Sequence, residues 1–137
     1  MTSIPTLSSI NINSLTEKTF IAGTYQEFTF DVFDSAGDPI DISTFAFSWV
    51  LSPFGQPNSV SLSKTGIYRT DYVLGNRFTV YVISTDTINL AGKYVQQPIV
   101  TANPGYEFRM GQGYVNIIDA IVSWFEKGGI SNANNNT

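Results

Sequence analysis

The sequence contains no cysteine and no histidine. Without cysteine there are no disulfides, and because many secreted domains of this size lack them, the absence fixes no compartment. Together the two absences exclude a Ser-His-Asp triad, a cysteine nucleophile with a histidine base, and any zinc site of ordinary ligand composition. Charge is scarce as well: Asp, Glu, Lys and Arg make up 13% of the chain, and seven basic against eleven acidic residues leave a net charge of −4. No cluster of Lys or Arg is available to neutralise phosphates, which argues against a nucleic-acid partner. Long apolar runs are missing, the longest falling far short of a membrane span, and the start MTSIPTLSSINI has neither a basic n-region nor an apolar h-region. The expectation is a soluble chain without a membrane partner, made without a secretion signal.

What the sequence does contain is aromatic and apolar side chains. Hydrophobic residues reach 42% and aromatics 14%, with ten Phe and seven Tyr. At 137 residues that is enough for one core that buries roughly two-thirds of the unfolded surface. The clearest pattern runs from Tyr25 to Leu51. Phe28, Phe30 and Val32 alternate with Thr29 and Asp31, and Phe45, Phe47, Trp49 and Leu51 alternate with Ala46 and Ser48, the period of two of a half-buried strand. Between them, Asp34-Ser35-Ala36-Gly37-Asp38-Pro39 reads as a turn.

Further strands are expected at Thr19–Gly23, Ser59–Lys64, Arg77–Ile83, Lys93–Ala102, Tyr106–Met110 and Tyr114–Ile118. Pro98 places its strand at a sheet edge or a bulge, and Gly111-Gln112-Gly113 reads as a turn or bulge. Ser52 to Asn58, with two prolines and a glycine, is a loop, and Thr65 to Asn76 is a loop or an irregular edge strand. Ser84 to Gly92 reads as one helical turn, capped by Ser84 or Thr85 and stopped by Gly92. Seven or eight short strands with turn signals about 8 to 12 residues apart point to an all-β protein, an antiparallel β-sandwich of immunoglobulin-like or jelly-roll type. The expected organisation is an extended N-terminal arm over 1–18, a sandwich over 19–118, and a docking segment with an Asn-rich tail over 119–137. Residues 119–127 suit a helix or a strand equally.

Little here suggests catalysis, and no cofactor or metal is expected. Asp31, Asp34, Asp38 and Asp41 are the densest acidic group, but their spacing fits a solvated hairpin tip better than a carboxylate pair or a calcium loop. Trp49 shares a face with Phe45 and Phe47 and reads as a core residue. Tyr68, Tyr72, Tyr106 and Tyr114 lie near loops or strand ends, where a carbohydrate-binding or a protein-binding surface would equally place them. Phe54, Tyr68 and Tyr72 are the surface-loop binding candidates. Ile10, Ile12 and Leu15 in the arm, with Ile121, Trp124 and Phe125 after the last core strand, are the interface candidates.

Three stretches carry a resemblance: FTFDVFDSAGDPIDIS at 28 to 43, FAFSWVLSPFG at 45 to 55, and DTINLAGKYVQQPIVTANPG at 86 to 105. Their order, from Phe20 to Ile118, resembles small β-sandwich domains of tailed-bacteriophage virion proteins, such as the N-terminal domain of baseplate upper proteins and head- or tail-decorating modules. The resemblance implies a non-catalytic structural subunit located in the virion and made in the host cytoplasm. It implies a homo-oligomer, with a trimer as one option, that attaches to capsid, portal or tail proteins through its termini. The sequence shows no long downstream coiled coil or receptor-binding region, so a free-standing subunit is expected. The alternative is a carbohydrate-binding module that uses exposed aromatic rings.

Overall fold

A computed structural model describes residues 10–13, 15–103 and 105–120, and it realises the strand and turn signals as two stacked sheets. The first sheet holds β1 (Asn11–Ile12), β3 (Gln26–Phe33), β7 (Arg77–Val82) and β6 (Ile67–Tyr68), in that spatial order. The second holds β2 (Lys18–Ile21), β10 (Gly113–Ile118), β8 (Gly92–Ala102), β4 (Ala46–Pro53) and β5 (Leu62–Thr65), with β9 (Tyr106–Arg109) also paired to β8. Neighbours run antiparallel except β2 and β10, which are parallel from Lys18↔Val115 to Ile21↔Ile118. With β3, β7 and β6 in one sheet and β10, β8, β4 and β5 in the other, the order is that of an immunoglobulin-like sandwich. It decides between the two architectures that alternation alone left open.

The core lies between the inner faces. Phe28, Phe30 and Val32 of β3 and Phe78, Val80 and Val82 of β7 meet Phe47, Trp49 and Leu51 of β4, Val100 of β8, and Val115 and Ile117 of β10. Phe47 and Phe78 stack across the sheets at 4.5 Å and 10°, and Phe28 lies 4.9 Å from Trp49. Trp49, as expected, is a core residue, 1% exposed. Its Nε1 donates to Gln96 Oε1 at 2.8 Å, so the polar edge of the indole is satisfied inside the sandwich. In antibody domains a tryptophan on the equivalent strand packs against an inter-sheet disulfide; here a hydrogen bond to β8 stands beside the tryptophan instead.

Several sequence expectations change. Residues 10–13 and 15–18 are not an arm apart from the sandwich. Asn11 and Ile12 pair with Phe33 and Val32, Ile10 is buried in the core, and Ile12 and Leu15 pack against it. Their spacing looked too loose for a core because strands from elsewhere in the chain supply the contacts, fully for Ile10 and in part for Ile12 and Leu15. Ile121, Trp124 and Phe125 lie outside the described residues. β4 runs on to Pro53, which faces Tyr94, so the loop begins at Phe54. β5 begins only at Leu62, and Val60 is exposed. Ten strands are described, including two of two residues, against the seven or eight expected.

The helical turn α1 (Ser84–Thr87) is present but is capped at Ile83, whose N–H donates to the Asp86 carboxylate at 2.9 Å. Gly92 opens β8 rather than stopping the helix. Pro98 sits at a bulge: Gln97 and Pro98 on β8 face Met110, Gly111 and Gln112, the extra residue lying where β10 gives way to β9. Pro98 O accepts from Met110 N at 2.9 Å, and the proline nitrogen faces the same interruption, where no ladder donor is needed.

The Asp34–Pro39 turn is closed by a side chain. Asp34 Oδ1 accepts from the N–H groups of Ala36 and Asp38, each at 2.9 Å, and Asp38 O accepts from Asp34 N, also at 2.9 Å. The acidic residues of this region do not converge on a common point. Asp31 pairs with Arg77 through bonds of 2.7 and 3.0 Å, and Asp41 accepts from Ser43 N at 3.0 Å, which holds its carboxyl below the usual carboxylate range.

Candidate functional site

Strand alternation that buries one face of the second sheet leaves the other to solvent. On that outer face Tyr114 of β10, Val95 of β8 and Ser52 of β4 stand in one row of aligned partners, with Gln97 and Val50 in the next. The chain leaves β4 through a turn in which Gln56 N donates to Pro53 O at 2.9 Å and Gly55 adopts φ 80, a backbone state that side chains beyond hydrogen disfavour. Phe54 N donates to Lys93 O at 3.0 Å, which fixes Phe54 beside β8. Its ring thereby stands 5.7 Å from that of Tyr114, inclined at 59°. Lys93 Nζ lies over both rings, 4.7 Å from the Phe54 centroid and 4.8 Å from that of Tyr114.

The rings edge a cavity of about 790 Å³ floored by Val50, Val95 and Ile99. Its polar lining includes Gln97, whose Nε2 donates to Met110 O at 3.0 Å, and Arg109, which contacts Glu107 at 3.2 Å. Gln112 and Glu17 complete that side, Glu17 accepting from Asn116 Nδ2. Phe54 is 51% exposed, Tyr114 45% and Val60 58%, so apolar surface faces water along the length of the groove.

Of the three surface-loop candidates, Phe54 is in this groove and the other two are not. Tyr68 belongs to β6 in the opposite sheet and packs half-buried against the core. Tyr72 lies beneath the Arg77 guanidinium, 3.6 Å from its ring centroid. Tyr72 borders a polar lattice on the outer face of the first sheet. There Arg69 binds Asp71 at 2.7 and 2.9 Å, which holds the Asp71 carboxyl below the usual range, and donates to Thr79 Oγ1 at 2.9 Å. The lattice partners are one another's ligands. Leu15, expected at an interface, lines the end of the groove. Tyr114 was visible in the sequence as one of four tyrosines near strand ends. The signal that singles it out, its register opposite Val95 and its ring beside Phe54, is a matter of strand pairing between separate parts of the chain.

No family model matches the chain, and no curated protein matches it. Among solved structures it is similar to one described as "GspB Siglec domain", with a TM-score of 0.47 and 20% sequence identity. The alignment covers 82% of this chain and 58% of that one, so the chain spans less than two-thirds of that protein's length. The likeness says nothing of function.

Proposed function

We propose that this chain is a non-catalytic structural module of a bacteriophage virion, a homo-oligomer that decorates the head or forms part of the tail apparatus and presents its groove as a recognition surface. The observation that carries the recognition role is the Phe54–Tyr114 groove: a chain with little charge and no histidine or cysteine keeps two aromatic rings and a valine at the surface, with the Lys93 ammonium over both rings. Exposed apolar surface of this kind marks contact sites more often than idle exterior. The virion assignment is supported by the resemblance of the 28–43, 45–55 and 86–105 stretches, which fall on β3 and the turn after it, on β4 and its loop, and on the α1–β8 connection of one sandwich.

The test is fractionation of purified particles from an infected culture, probed with an antibody to this chain, alongside light scattering of the isolated protein. Co-sedimentation with heads or tails at a constant copy number, and an oligomer in solution, are the expected results. A monodisperse monomer absent from every particle fraction would defeat the proposal.

A further inference from the structure

The groove has two unlike walls. One is aromatic, with Phe54 and Tyr114 inclined at 59° and the Lys93 ammonium within 4.8 Å of both ring centroids. The other is polar. Gln97 spends its Nε2 on Met110 O and keeps Oε1 as an acceptor, while Arg109 and Gln112 offer donors. Formal charges around the groove cancel, Lys93 and Arg109 standing against Glu17 and Glu107.

These features discriminate between occupants. A nucleic acid or polyanion calls for net positive charge, which the groove lacks. An extended peptide binds by adding a strand to a free sheet edge, but β10, β8 and β4 in the groove floor each have partners on both sides. An amphipathic helix requires a groove that is apolar throughout, and one wall here is amide and guanidinium. A sugar ring has what remains: a C–H face that lies against an aromatic ring, and a rim of hydroxyls that both donate and accept. The geometry points to a neutral saccharide as the ligand of this groove, stacked on Phe54 and Tyr114 with its hydroxyls on Gln97, Gln112 and Arg109. The cavity of about 790 Å³ has room for a short oligosaccharide. This inference rests on the reading of the groove as the recognition surface.

The experiment is an NMR titration of the full-length protein with neutral homo-oligosaccharides of glucose, galactose, mannose and N-acetylglucosamine, at low and high salt. At least one probe is expected to give saturable shifts at the amides of Val50, Gln97 and Tyr114, unchanged by salt. Phe54→Ala and Tyr114→Ala are each expected to weaken that binding about tenfold, and Tyr114→Phe to keep it within about threefold. Tyr106→Ala, an exposed tyrosine outside the groove, should leave it unchanged. The inference is overturned if no probe saturates below about 10 mM, or if groove amides shift with protein concentration alone, which would make a second copy the occupant. Sugar binding by a protein missing from particles would defeat only the virion reading. Particle incorporation without sugar binding would defeat only this one.

Discussion

Gly66 lies where the chain passes from β5 in one sheet to β6 in the other, and its N–H donates to Phe47 O at 2.9 Å. A Cβ at this position would meet Phe78 Cδ2 at 2.7 Å and Phe47 Cβ at 2.8 Å. Carbon atoms rest about 3.5–4.0 Å apart, so each neighbour would have to retreat by close to an ångström. Neither has room: the two rings are stacked at 4.5 Å, and Phe78 is held from behind by Phe30 at 5.2 Å. Inserting a methyl into such a core costs about 1–3 kcal/mol. The rings are pinned from both sides, so the upper part of that range applies, and the lower chain entropy of alanine in the unfolded state returns about 0.4–1 kcal/mol. Gly66→Ala should therefore destabilise by about 2 kcal/mol, which for a domain of this size lowers Tm by roughly 8 °C. Urea and thermal melts read the change directly. Gly111→Ala is the control, because a Cβ there meets nothing within 4 Å, and it should stay within about 0.5 kcal/mol. If Gly66→Ala melts with the wild type while the control behaves as expected, the sandwich does not close as tightly at this crossover as described.

The other predictions concern polar groups. Gln96→Leu strands the Trp49 indole N–H in the core and should lower stability by about 1–3 kcal/mol, measured by urea unfolding with tryptophan fluorescence. Burial pushes the Tyr94 phenol above its ordinary value. A group that ionises less readily when folded contributes stability that is fully present below its unfolded pKa and is lost as pH rises through the folded one. The wild type should lose stability on the alkaline side of the ordinary phenol pKa, and Tyr94→Phe should flatten that loss in a pH series of melts. Asp34→Ala removes the acceptor of two turn N–H groups. It should cost about 0.5–2 kcal/mol and speed amide exchange at Ala36 and Asp38.

Much of the fold is legible residue by residue because alternation is a local property. The runs at Phe28 to Val32 and Phe47 to Leu51 bury every second side chain, the run at Phe78 to Val82 does so with Thr79 buried as well, and the core reading of Trp49 follows from its neighbours alone. Boundaries were less legible where a partner decides them. Pro53 stays in its strand because Tyr94 faces it across the ladder, and Ile10 is a core residue because β3 pairs with the segment after it. The candidate site was legible only in part. Phe54 stands out as an aromatic residue in a Pro/Gly loop, whereas Val95 and Gln97 look like any residues on the far side of a strand.

The sequence by itself determined that this is a β protein with one core, which side chains of its alternating strands face that core, and where it turns. It also excluded histidine and cysteine chemistry. These are matters of composition and of a period of two, which a chain carries whatever its strands pair with. The tertiary structure alone decided that the sandwich is immunoglobulin-like, that residues 10–13 and 15–18 are part of it, and that Phe54, Lys93 and Tyr114 meet. Strand order and register bring together residues dozens of positions apart, and no local pattern records which strand will be the neighbour.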